Sequence, residues 1–325
     1  MRRFKVTKLF ITLGPSTLNK KFLNSINSKY VKLLRINLSH TKIKDLKKIV
    51  LFIRKYSNID ICFDTEGAQV RTSKVINDKK QLIRNQIVHI NKSNISNSHI
   101  TLTPNNIYKK LKLGDTLDID FNSAKIKVID ENSSIYKCKV IESGSIGSNK
   151  SVSVSRSINI PPFTDKDIKA FELANNLNIK NIALSFTSSE QDIKKLRKYF
   201  ENDITITSKI ESKKGLLNLN KILNEANNIL IDRGDLSKEI PLPLIPKKQK
   251  EIISAANQRN VPVFVATNLL ESMVTKKEPT RAEVNDIYNT LVDGADGLVL
   301  AAETAIGNYP TECIDMIIKV SKTLK

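Results

Sequence analysis

Apolar runs rich in Ile, Leu and Val punctuate the chain at 8–14, 31–37, 59–65, 181–186, 205–210, 228–232, 261–267 and 297–303. Each has the length of a buried parallel strand. Between most of them the apolar positions step by three and four instead. Examples are Phe22, Leu23 and Ile26, then Ile43, Leu46, Ile49, Val50 and Ile53, then Ile193 and Leu196, then Ile252, Ile253 and Ala256. That spacing gives a helix one buried face. Eight strands alternating with helices predict an α/β fold, the (β/α)8 or TIM barrel.

The strand starts are evenly spaced except once. Between the third, at 59, and the fourth, at 181, the gap is several times any other. The period changes inside that gap. Residues 86–90, 99–102, 116–120, 125–129 and 135–140 alternate apolar and polar, separated by turn chemistry such as Lys112-Leu113-Gly114-Asp115 and Asp130-Glu131-Asn132. The pattern predicts a small all-β lid domain inserted after strand 3. The barrel is expected at 1–72 and 156–325, the lid at 73–155, and the eighth helix at 310–325.

Composition adds limits. Aromatic residues make up 6% of the chain and Trp is absent, so the core must be built from Ile, Leu and Val. The net charge is +20, but the lysines are scattered, and no aromatic platform accompanies them. Nucleic acid is therefore not the expected partner, while phosphorylated anions would profit from the field. Cys62, Cys138 and Cys313 have no metal or disulfide spacing. His40, His89 and His99 are dispersed along the sequence and predict no metal cluster. The basic residues 1–5 are followed by no apolar segment of a leader, and no apolar stretch reaches membrane length. A cytoplasmic protein without a membrane span is expected.

Barrel enzymes carry their chemistry at the C-terminal ends of the strands. Here those ends read Arg35-Ile36-Asn37-Leu38-Ser39-His40, Asp64-Thr65-Glu66-Gly67, Lys209-Ile210-Glu211, Asp232-Arg233-Gly234-Asp235, Thr267 and Glu303-Thr304. Lys209 and Glu211 are two residues apart in a strand, so they point to one side. An ammonium there can stabilise a developing enolate or phosphoryl charge, and Glu211 with Asp235 can hold Mg2+. Taken alone, the same residues are also compatible with a solvated ion pair and an ordinary turn glycine.

Together these segments resemble the pyruvate kinase family. The likeness is carried by Thr12-Leu13-Gly14-Pro15-Ser16, by 35–40, by Asp64-Thr65-Glu66-Gly67-Ala68-Gln69-Val70-Arg71-Thr72, and by Gly144-Ser145-Ile146-Gly147-Ser148-Asn149-Lys150. It continues through Ser208-Lys209-Ile210-Glu211, Arg233-Gly234-Asp235-Leu236, 266–273, Pro279-Thr280-Arg281-Ala282-Glu283 and Glu303-Thr304-Ala305. The resemblance implies phosphoryl transfer between phosphoenolpyruvate and ADP, giving pyruvate and ATP. It implies catalytic roles for Lys209, Arg35 and Thr267, and substrate binding by Arg35, Gly234, Asp235 and Thr267. Nucleotide binding would fall to Asn37, His40, Arg71 and Lys150. Mg2+ would be held by Glu211 and Asp235, and K+ by Asn37, Ser39, Asp64 and Thr65.

The chain departs from the family pattern at several places. Glu66 replaces a basic residue, and Gln69 occupies a position linked to monovalent-cation dependence. Asp232 stands where a small apolar residue precedes Arg-Gly-Asp. Asn268 replaces Gln, Ala301 replaces Ser, and the lid reads Ile-Asp120-Phe. The family's C-terminal regulatory domain has no counterpart here, which implies a short form. The segment 279–283 resembles the family's barrel–barrel contact and implies a homodimer. Two other readings stay open: the same chemistry with a changed acceptor, to which Asp232 and Glu66 point, and a degenerate barrel used as a binding protein. Survival of Arg35, Lys209, Glu211 and Asp235 weighs against the latter.

Overall fold

The structure is a computed structural model describing residues 7–67, 69–91, 99–104, 106–120, 123–132, 135–156 and 158–324. Residues 1–5, Ala68, Phe121 and Lys325, which entered the expectations above, lie outside the described residues. The chain parts into two compact units, after Gly67 and before Pro162. The expectation had placed these boundaries at 72/73 and 155/156.

The first unit is a closed barrel of eight strands. They are β1 (Lys8–Thr12), β2 (Val31–Asn37), β3 (Asp60–Asp64), β4 (Asn181–Leu184), β5 (Thr205–Ile210), β6 (Asn228–Asp232), β7 (Val263–Ala266) and β8 (Gly297–Leu300). Every strand pairs in parallel with its two neighbours in chain order, and β1 closes the ring on β8. Parallel neighbours need a crossover, and helices supply most of them. Helix Ile43–Tyr56 follows β2 and buries Leu46, Val50 and Ile53, the three- and four-residue steps of its apolar face. Helix Asp165–Asn176 starts at a capping box between Thr164 and Asp167. The last helix spans Pro310–Lys322.

Alternation within each strand sorts the side chains. Leu34 and Ile36 of β2, Ile61 and Phe63 of β3, Ile206 and Ile210 of β5, and Ile229 and Ile231 of β6 pack in one large cluster with the helices. Each such side chain, fully buried, contributes roughly 1.5–3 kcal/mol by leaving water. The residues between them turn to the barrel axis. Phe10, Leu33, Cys62, Ala183, Leu230, Phe264, Ala266 and Val299 form a separate interior cluster, in which Phe10 stacks on Phe264 at 4.0 Å between centroids. Two residues beyond Leu33, Cys62, Ala183 and Leu230 come Arg35, Asp64, Ser185 and Asp232. The next inward positions above the apolar plug are thus polar.

The inserted unit has its own core and two sheets. In the larger, the strands lie in the order Val152–Val154, Thr116–Ile119, Ala124–Asn132, Ile135–Glu142, Ile87–Asn91, His99–Thr103 and Arg71–Thr72. Lys79–Leu82 pairs with Gly144–Gly147 in a second sheet. Alternation does not predict that last strand, whose residues carry only the family resemblance. Its backbone lies so near Ser123 that a Cβ on Gly144 would fall 1.5 Å from the Ser123 carbonyl oxygen, which is why glycine stands in an extended segment. His89 and His99, ten positions apart in the sequence, are paired residues of neighbouring strands with rings 5.4 Å apart. Dispersal along the chain did not mean dispersal in space. Even so, the only group of three potential metal ligands among the described residues lies elsewhere, in the barrel.

Candidate active site

Lys209 is the centre of the barrel site. It sits on β5 with its side chain 5% exposed. Its ammonium lies 2.7 Å from Glu211 Oε1, 3.4 Å from Asp64 Oδ1 and 3.7 Å from Asp232 Oδ2, and it donates to Ser185 Oγ at 3.2 Å. Burial disfavours its charge, but Asp64, Glu211 and Asp232 outweigh that and hold it protonated far above the ordinary lysine range.

Arg35, on β2, donates through Nε to Asp64 Oδ2 at 2.8 Å and through a terminal nitrogen to Thr12 Oγ1 at 2.5 Å. A second terminal nitrogen lies 2.5 Å from Asp64 Oδ2. Burial opposes the Asp64 charge, yet Arg35 and then Lys209 outweigh it and keep this carboxyl below the usual carboxylate range. Thr12 in turn donates to the Leu300 carbonyl, so β2, β1 and β8 share one hydrogen-bonded line.

Glu211 is fully buried just past the end of β5. Oε2 accepts from the Phe186 N–H at 2.6 Å, at a point where Phe186 adopts a φ of 51°. Burial first, and then Asp235 and Asp232 against the favourable Lys209, push its carboxyl up to about 8. Like charges in a shielded space disfavour ionisation unless a cation joins them. One oxygen each of Glu211, Asp232 and Asp235 lies within 4.8 Å of the others. Ligands of an octahedral ion with bonds of about 2.1 Å stand about 3.0 Å apart when adjacent and about 4.2 Å apart when opposite, so these carboxylates are near enough to close on one ion by side-chain movement. Asp235 also pairs with Lys238 at 2.6 Å.

Thr267 follows β7 with φ 71°, a left-handed conformation that a β-branched residue adopts only under constraint. The constraint is visible. Arg233 donates through Nε and a terminal nitrogen to the Thr267 carbonyl at 3.1 and 2.5 Å, and pairs with Asp286 at 2.7 Å. The Thr267 hydroxyl accepts from the Gly234 N–H at 2.8 Å and donates to the Ala266 carbonyl at 2.6 Å. Gly234 therefore positions Thr267, and its N–H is engaged there rather than left free for an anion.

The four expected K+ ligands fall on two adjacent segments. The Leu38 N–H donates to the Asp64 carbonyl, joining the loop after β2 to the end of β3. Asn37 Oδ1 accepts from the Ser39 N–H at 2.9 Å, and Thr65 Oγ1 accepts from the Ser185 N–H at 2.9 Å. His40 is exposed. Arg71 and Lys150 belong to the inserted unit, where they are neighbours. Arg71 donates to the Asn149 carbonyl, the Thr72 N–H bonds the Lys150 carbonyl, and Lys150 Nζ lies 3.1 Å from Asp120 Oδ2. Near the 279–283 motif, Thr280 and Glu283 cap their own helix, Arg281–Val292, and Glu283 also binds Ser272.

Two residues went unnoticed in the sequence reading. Ser185 touches Lys209, Asp64 and Thr65, and its signal was available, since it lies two positions beyond the inward Ala183. Asp167 accepts from the N–H groups of Glu66, Gly67 and Thr164, tying the segment after β3 to the start of its own helix. No local pattern could reveal that, because the partners are a hundred residues apart.

Comparison with known proteins gives these residues a context. A family model described as "Pyruvate kinase, barrel domain" matches residues 4–314. The pyruvate kinase of Thermotoga maritima is 34% identical, over 97% of this chain and 70% of its own length. Those of Thermococcus litoralis and Methanocaldococcus jannaschii are 30% and 33% identical, over 98% and 97% of this chain and 69% of their own lengths. Among solved structures, the crystal structure of a pyruvate kinase from Cryptosporidium parvum matches with a TM-score of 0.86 and 30% identity, over 97% of this chain and 68% of that one.

Proposed function

The chain belongs to the pyruvate kinase family, a family of phosphotransferases, and we propose that its barrel site moves a phosphoryl group between phosphoenolpyruvate and ADP, giving pyruvate and ATP. The observation that carries this assignment of the site is the buried Lys209 ammonium set against Glu211, with Asp235 near Glu211 and Arg35 linked to Lys209 through the shared Asp64.

Phosphoryl transfer demands positioning and charge neutralisation more than covalent help from the protein. The ester P–O bond of phosphoenolpyruvate breaks, a P–O bond to the terminal oxygen of ADP forms, and the enolate left behind takes a proton at carbon to become pyruvate. Lys209, held protonated, stabilises charge on the transferred group and the enolate oxygen. Arg35, anchored by Asp64 and Thr12, meets the phosphate. Thr267, fixed by Arg233 and Gly234, holds the carboxylate side of the substrate. Hard carboxylate oxygens suit Mg2+, and Glu211 with Asp235 would hold it. The ion would supply Lewis-acid neutralisation of phosphate oxygens.

Asn37, Ser39, Asp64 and Thr65 would hold K+, a role favoured by the contact between their two segments. Asn37, His40, Arg71 and Lys150 would receive the nucleotide. A glycolytic step of this kind belongs in the cytoplasm, and no helix among the described residues is long and apolar enough to cross a membrane. The test is phosphorus NMR of the purified protein with phosphoenolpyruvate, ADP, Mg2+ and K+. The phosphoenolpyruvate resonance should decay as the γ-phosphate of ATP grows. Decay to inorganic phosphate alone would refute transfer to the nucleotide.

A further inference from the structure

Asp232 has no contact with substrate or cation in the reaction just described. Its side chain is 8% exposed, and Oδ1 is sealed from solvent and accepts no hydrogen bond. Oδ2 lies 3.7 Å from Lys209 Nζ, beyond hydrogen-bond reach. The ammonium donates to Ser185 at 3.2 Å and lies nearer to Glu211 at 2.7 Å and Asp64 at 3.4 Å than to Asp232. Glu211 Oε1, like Asp232 Oδ1, is buried and accepts no hydrogen bond. A buried carboxylate oxygen without a donor is unfavourable, and a cation is the partner that would satisfy it. The strand register aims it inward, because Asp232 follows the axial Leu230 by two residues. Its carboxylate there joins those of Glu211 and Asp235 within 4.8 Å.

We propose that Asp232 is a third protein ligand of the divalent cation held by Glu211 and Asp235, so that the chain retains the ion before either substrate arrives. This rests on the assignment of Glu211 and Asp235 as cation ligands. Mg2+ is ordinarily bound through one or two carboxylates, with waters and substrate phosphates filling the remaining positions. A third carboxylate adds negative charge and removes one water from the coordination shell. It also suits Mn2+, which shares this taste for carboxylate oxygen and binds nitrogen and oxygen ligands weakly compared with later metals.

The test is titration of Mn2+ into the substrate-free full chain. Electron paramagnetic resonance reports free ion, and water-proton relaxation counts the waters remaining on bound ion. Native protein is compared with Asp232→Ala, Asp232→Asn and Glu211→Gln. Asp232→Ala should bind at least about 10-fold more weakly, at the low end of what removal of a supporting ligand contact costs, and should carry one more water than native. Asp232→Asn, which keeps the shape and one oxygen, should lose affinity without gaining that water, so a folding defect in the alanine variant cannot mimic the result. Unchanged affinity in Asp232→Ala, or weaker binding with an unchanged water count, would overturn direct ligation while leaving Glu211 and Asp235 in place. Native-like Mn2+ binding by Glu211→Gln would overturn the underlying assignment instead.

Discussion

Lys209 in the barrel and Lys150 in the inserted unit are each held by carboxylates, but their surroundings differ. Lys209 has its side chain 5% exposed, three carboxylates around it and a serine hydroxyl beneath. Lys150 is 46% exposed and pairs with Asp120 at 3.1 Å. In the first place the charges are shielded from water, so each fixes the protonation state and position of the next. In the second, solvent and salt weaken the pair, and the side chain can exchange Asp120 for another anion at little cost. The barrel thus presents a preorganised charge and the insert a replaceable one. The roles proposed above fit that difference: transfer chemistry needs a preorganised charge, and capture of a nucleotide phosphate needs only a replaceable one.

The comparison breaks most visibly at Lys209. Lys209→Met should lower kcat by about 10²–10³-fold or more, as loss of one preorganised charge does elsewhere, with a smaller change in KM for ADP. Steady-state kinetics in excess Mg2+ reads this, and a variant within a few fold of native would remove Lys209 from the chemistry.

Arg35→Met strikes stability as well. It leaves Asp64 buried against fewer partners, and breaking such a pair costs roughly 3–5 kcal/mol. Chemical denaturation at neutral pH measures it. The pH dependence has a definite sign. Asp64 is held below the unfolded carboxylate value of about 3.9. Its contribution is therefore complete above that value and is lost as pH falls through the lower folded value. The native protein should lose stability in that acid window, and Arg35→Met should show a shallower loss.

The smallest effect belongs to the insert. Lys150→Ala should change unfolding free energy by about 0.2–1 kcal/mol at most, the range of exposed ion pairs. It should nevertheless raise KM for ADP, increasingly so at low salt, where a long-range charge counts most. Equal loss of stability at Lys150 and Arg35 would erase the distinction between the two regions.

Much of the barrel could be read from periodicity, because a parallel strand buried on both faces must be apolar throughout, and a polar residue near its end stands out. Arg35, Lys209, Glu211 and Asp235 were found that way. Ser185 was missed because a small hydroxyl residue at a strand end is common and carries no charge to draw attention. Asp167 was missed because its partners come from a distant segment. In the insert, alternation revealed Ile87–Asn91, His99–Thr103, Thr116–Ile119, Ala124–Asn132 and Ile135–Glu142 but not Arg71–Thr72, Lys79–Leu82, Gly144–Gly147 or Val152–Val154, which are short, polar or glycine-bearing and owe their extension to neighbours. Asp232 was visible as a departure from the family pattern. Its buried, undonated oxygen was not, since that depends on which groups the fold packs around the side chain.

The most direct measurement of the central claim is pyruvate formation by the purified full chain from phosphoenolpyruvate and ADP, native beside Lys209→Ala, with Mg2+ and then with the ion chelated. The account predicts turnover in native protein that needs both ADP and the cation and is abolished by Lys209→Ala. Turnover that Lys209→Ala and chelation leave unchanged would contradict it, as would a well-folded, metal-loaded native protein that forms no pyruvate.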